Sequence, residues 1–110
     1  MKQIPMEELT FPMFTNLTDP TFQVWWGDTR LEDFKLVEAK PLPVPAGKPV
    51  PVPDATLKRF VLCFESNAQR ILAQTIFKFT HPEVGIFELF IVPVGRGKEG
   101  VQYEAIFNRI

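Results

Sequence analysis

The sequence predicts an all-β fold, a small antiparallel sandwich or partly open barrel of about six strands, and three observations predict it. From residue 21 onward apolar residues recur at every second position. Short clusters of turn residues separate these runs at close intervals. No segment between them carries the long apolar stripe of a helix, which argues against a doubly wound α/β fold. The chain has 110 residues, 45% hydrophobic and 23% charged, the balance of one globular domain spanning 1–110. Eleven phenylalanines suit such a core, because each buried ring removes about 150–250 Å² from water.

The first expected element is a short helix within Pro5–Phe14. Pro5 suits a first helical position, Glu7 and Glu8 suit the positive end of the dipole, and Pro12 is expected to stop it. Phe22, Val24 and Trp26 alternate with Thr21, Gln23 and Trp25, so a first strand with the even residues inward is predicted. Gly27-Asp28-Thr29 is turn chemistry, and Leu31 to Ala39 reads as a second strand with Phe34 and Leu36 on one face. A third strand places Phe60, Leu62 and Phe64 together against Arg59, Val61, Cys63 and Glu65. Residues 66–73 fit a loop or one helical turn. A fourth strand carries Phe77 and Phe79 around Lys78, and His81 to Gly85 is a tight connection. The fifth strand is expected to run unbroken from Ile86 to Val94, and the sixth to carry Val101, Tyr103, Ala105 and Phe107 in phase.

Residues 40–54 carry proline at every second position in two imperfect copies, Lys40 to Gly47 and Lys48 to Asp54. Domains that read polyproline look for prolines three apart, a spacing absent here. In an extended chain alternate amides point the same way, so these prolines strip donors from one side only. A hairpin closed by Ala46-Gly47-Lys48 would set Val44 opposite Val50 and Leu42 opposite Val52, with both outer edges blunted. Leu42, Val44, Val50 and Val52 would then share one aliphatic face. The segment reads as a docking arm for a neighbouring subunit or as a rigid loop packed on its own domain.

Twelve basic against thirteen acidic residues argue against a nucleic-acid partner, which needs a clustered basic surface. No run approaches the roughly 20 apolar residues of a membrane helix, and the acidic N-terminus does not read as a signal peptide, so a cytoplasmic product is expected, with incorporation into an exported or released assembly left open. The single cysteine, Cys63, excludes an internal disulfide, and with the single histidine, His81, it falls short of a structural zinc set. Cys63 reads as buried, and His81 as a brace for the turn before Pro82. Gly95-Arg96-Gly97-Lys98 lacks the Ser or Thr and the helix that follow a phosphate-loop lysine. Glu7-Glu8 and Glu32-Asp33 are neighbours and not acid–base dyads. No catalytic residue, metal or cofactor is expected. Two aromatic rings stand out of phase as interface candidates: Trp25, to be exposed or covered by the N-terminal segment, and Phe90, opposed to Phe87, Leu89 and Ile91.

His81-Pro82-Glu83-x-Gly85, the run Leu89 to Gly95, and the run Tyr103 to Asn108 resemble a family of small uncharacterised bacterial domains. These are often encoded beside phage tail-collar-like proteins of the microcystin-dependent-protein type. Gln74 to Phe79 and Phe14-x-x-Leu17 to Phe22 extend the likeness, and the proline duplication is longer than the family pattern. The resemblance implies a non-enzymatic accessory or structural component of a tail-like or fibre-like assembly, with itself or a phage-tail-like protein as partner. The residues themselves leave a second expectation open, a small barrel holding an apolar ligand in a Phe-rich interior.

Overall fold

In the computed structural model, which describes residues 1–42 and 58–108, period-two alternation becomes one antiparallel sheet. Its strands are β1 (Thr21–Trp26), β2 (Thr29–Pro41), β3 (Arg59–Ser66), β4 (Ile76–His81), β5 (Gly85–Phe90), β6 (Val92–Arg96) and β7 (Val101–Asn108). They lie in the order β5-β4-β1-β2-β3-β7-β6 and curl into a half-barrel. The in-phase residues point inward: Phe22 and Val24, Phe34, Phe60 to Phe64 by twos, Phe77 and Phe79, Phe87 and Leu89, and Tyr103 to Phe107 by twos are all buried. Every phenylalanine but Phe11 and Phe90 is buried. Phe60 stacks on its cross-strand partner Phe107 with centroids 4.2 Å apart, and Phe34 stacks on Tyr103 at 4.7 Å.

The expected fifth strand is two strands. β5 pairs with β4, β6 pairs with β7, and the single residue between them, Ile91, carries the chain from one margin of the sheet to the other. Ile91 is fully buried, and its amide donates to the Thr75 carbonyl. It keeps the inward phase of Phe87 and Leu89, so the alternation continues while the pairing partner changes. The described residues therefore form seven strands, and the curl brings the two ends of the sheet within one residue of each other.

Curvature has a local cause in β2. This strand of 13 residues pairs with β1 in its first half and with β3 in its second, and it shifts register once against each. Against β3, Leu36 faces Phe64 and Glu38 faces Cys63, which leaves Val37 as an extra residue. Such a bulge bends the strand and exchanges which residues point inward, so Ala39 follows Leu36 on the inner side. Lys40 and Pro41, expected at the start of the proline arm, belong to β2, where they face Val61 and Phe60.

The N-terminal segment also departs from expectation. Instead of one helix there is a 3-10 turn at Met6–Glu8 and a single α-helical turn, α1, at Pro12–Thr15. Pro12 opens α1 and does not end a helix before it, because a first-turn position has no amide bond to lose. Leu9 and Phe14 from this segment plug one end of the half-barrel, with Phe14 against Phe22, Phe60, Phe87 and Phe107. Residues 67–75 close the other end as a loop without helix: Leu72 is buried, and its amide donates to the Tyr103 hydroxyl at 2.8 Å. At the same end Arg70 pairs with the buried Glu32 carboxylate at 3.1 Å.

Candidate functional site

His81 and Cys63, the residues with most chemical potential, lie on opposite faces of the sheet. His81 is fully buried and its ring sits 4.6 Å from that of Phe22. Its Nδ1 accepts the Glu83 amide at 3.0 Å, which assigns the proton to Nε2, and Nε2 lies 2.6 Å from the Asp19 carbonyl. Glu83 Oε1 in turn accepts the Thr18 amide at 2.8 Å. His81-Pro82-Glu83-x-Gly85 is thus a latch that ties the β4–β5 turn to the segment entering β1. Gly85 completes it. Its φ of +122° disfavours any side chain, and a Cβ there would stand 2.4 Å from the Lys2 carbonyl, which accepts the Ile86 amide. The expected bracing role of His81 is what the geometry provides.

Cys63 is half-buried on the outer face of β3, a correction to the buried position expected for it. Its cross-strand neighbours are Glu38 and Glu104. Desolvation raises the thiol pKa, and the Glu104 and Glu38 carboxylates raise it further against a smaller opposing effect of Lys40. A protonated thiol is a poor nucleophile and a poor metal ligand. Among the described residues no group of three or more His, Cys, Asp or Glu is arranged to hold a metal ion.

The interface candidates fare unequally. Phe90 points outward and is 46% exposed, directly opposite Ile76, which is exposed to the same extent. Trp25 lies on the outer face and is half-buried: its indole N–H donates to Thr80 Oγ1 at 3.0 Å, and Lys78 Nζ lies 5.1 Å from its ring centroid. The more exposed ring is Trp26, which was expected in the core. It keeps the inward phase, but as the last residue of β1 it reaches the rim, where it packs on Phe77 and stays 57% exposed. Leu42 is half-buried, and its amide donates to the Arg59 carbonyl, so that donor extends the β2–β3 ladder. Val44, Val50 and Val52 lie outside the described residues.

The structure therefore joins Trp25 and Phe90 across β1, β4 and β5. Trp25, Lys78 and Glu88 form one row across the three strands, and Ile76 and Phe90 form the next. Two open grooves border them. One, of about 490 Å³, lies between residues 3–6 and the side chains of Ile76, Lys78 and Glu88. The other, of about 640 Å³, wraps the β1–β2 turn and shares those three residues. Across the seam between β5 and β7, Phe90 and Ile106 line an apolar cleft with Met6, and Ile106 is 59% exposed. Ile76 and Ile106 escaped the sequence reading, although the phase test that singled out Phe90 identifies them too: each alternates with inward aromatic residues.

No helix among the described residues is long and apolar enough to cross a membrane. No curated protein and no solved structure matches the chain. Residues 9–107, from the plug residue Leu9 to the stacked Phe107 and so including the latch and every described strand residue but Asn108, match the family described as Domain of unknown function (DUF6916), and the chain belongs to that family.

Proposed function

We propose that this chain is a non-enzymatic structural or interaction module that works through protein–protein contacts, as an accessory or assembly component of a phage-tail-like or fibre-like system. One observation carries the reading. Ile76, Phe90 and Ile106 occupy outward strand positions, where a solvated sheet places polar residues, and all three remain substantially exposed. Contiguous outward apolar surface of this kind marks sites of association. The interior supports the same reading, since stacked phenylalanines occupy the volume that an apolar ligand would need. The tail-like setting rests on the resemblance of the His81–Gly85, Leu89–Gly95 and Tyr103–Asn108 motifs. The partners are the chain itself or a phage-tail-like protein, and synthesis is cytoplasmic.

Light scattering and particle imaging, on the purified chain alone and mixed with a tail-collar-like protein, test this. Rings, stacks or a stoichiometric complex are expected, and the double substitution Phe90→Ser and Ile106→Ser should abolish them. A strict monomer that forms no complex and takes up an apolar dye into its interior would replace this reading with ligand binding.

A further inference from the structure

The outer faces of β4 and β5 present three cross-strand pairs in succession: Ile76 with Phe90, Lys78 with Glu88, and Thr80 with Ile86. Unlike charges placed directly opposite on neighbouring strands usually attract one another. Here the Lys78 ammonium lies over the Trp25 ring, and among the described residues no salt bridge joins it to the exposed Glu88. Each chain thus carries a lysine and a glutamate at the same height, on adjacent strands, beside an exposed apolar pair.

We propose that this face binds a second copy of the chain, face to face, about a twofold axis that runs parallel to β4 and β5 and between them. That rotation lays each β4 over the other copy's β5 without changing height along the strands. Lys78 of each copy then meets Glu88 of the other, and Ile76 of each meets Phe90 of the other. The interface is isologous, as a closed dimer requires. Charge selects this axis. The other in-plane twofold, perpendicular to the strands, would set Lys78 over Lys78 and Glu88 over Glu88, and such like-charge contacts are strongly unfavourable.

The inference rests on the interaction reading above and gives it a surface and an occupant. The two strands that face each other, spaced about 4.8 Å apart and about 20 Å long, offer about 200 Å² per copy. That is well under the roughly 800 Å² per partner of a standard interface, so the dimer is weak, with a dissociation constant of the order of 0.1 mM.

Sedimentation of the full chain from about 10 µM to about 1 mM tests it, with thermal unfolding as a check that each variant folds. Lys78→Glu and Glu88→Lys should each weaken dimerisation about tenfold or more, because each places like charges together twice. The double variant Lys78→Glu/Glu88→Lys should return to within about threefold of the original. Single variants that dimerise normally, or a double variant no better than the singles, would overturn the assignment. An assembly indifferent to all three variants would remove this surface and leave the interaction reading intact. A strict monomer to about 1 mM would remove this surface, and the mixing experiment with a tail-collar-like protein would then decide the wider reading.

Discussion

The inner and outer sides of the half-barrel follow opposite rules, although the same strands build both. Inside, inward positions of six strands, β1 to β5 and β7, hold large buried rings that pack on one another, and Phe22 alone meets Phe14, Phe64, Phe79, Phe87 and His81. Outside, β4, β5 and β7 each expose a large apolar residue beside polar ones, at Ile76, Phe90 and Ile106. The inner aromatics are there because the fold needs them. The outer ones stay exposed outside that core, and the proposed use between molecules rests on that exposure.

The contrast is sharpest for large-to-small changes. Phe22→Ala should cost about 3–5 kcal/mol of unfolding free energy in denaturant titration, since it opens a cavity among rings that cannot collapse into it. Tyr103→Phe keeps the ring and its stack on Phe34 but removes the acceptor of the buried Leu72 amide, so about 1–3 kcal/mol should be lost in the same measurement. Phe90→Ser should change stability by no more than about 0.5 kcal/mol while weakening association. A large stability loss from Phe90→Ser would mean that the outer ring belongs to the core, and the distinction between the two sides would fail.

A pH experiment extends the comparison to the polar part of the outer face. Glu65 accepts the Glu99 amide at 2.8 Å and the Gln102 side-chain amide at 3.1 Å, and these bonds hold its pKa below the ordinary glutamate value. A lowered carboxyl pKa contributes stability that is present above the unfolded-state value and lost as pH falls through the folded one. Protection of the Glu99 amide from hydrogen exchange, compared at matched intrinsic rates, should therefore fall across that acid window. In Glu65→Gln the step should vanish.

Much of the inner side was legible in the sequence because burial on one face of a strand writes a period of two. The residues expected inward at Phe22, Phe34, Phe60, Phe64, Phe79, Phe87 and Tyr103 are there. Periodicity reports which way a side chain points and not which strand lies beside it. Ile91 stays in phase, so the exchange of β4 for β7 at that residue left no mark. The bulge at Val37 and the rim position of Trp26 were hidden for related reasons: register and strand length belong to pairs of strands and not to one. The candidate site was partly legible. Phe90 declared itself by being out of phase, and Ile76 and Ile106 carry the same signal beside the inward Phe77 and Phe107. The latch at His81–Gly85 was visible as a motif, but its work, joining Asp19 and Thr18 to the β4–β5 turn, needed coordinates.

The crossing at Ile91 has a consequence for how the chain finds its shape. Each flank is a local hairpin, β4 with β5 and β6 with β7, yet β5 and β6 are neighbours along the polypeptide that terminate opposite flanks, so local zippering alone cannot assemble the sheet between them. The β6–β7 hairpin joins the sheet only through β3, which lies some 40 positions before β7 in the chain. Contacts of such long range must be gathered before the strap between the flanks can tighten, which places this domain among the slower folders for its size.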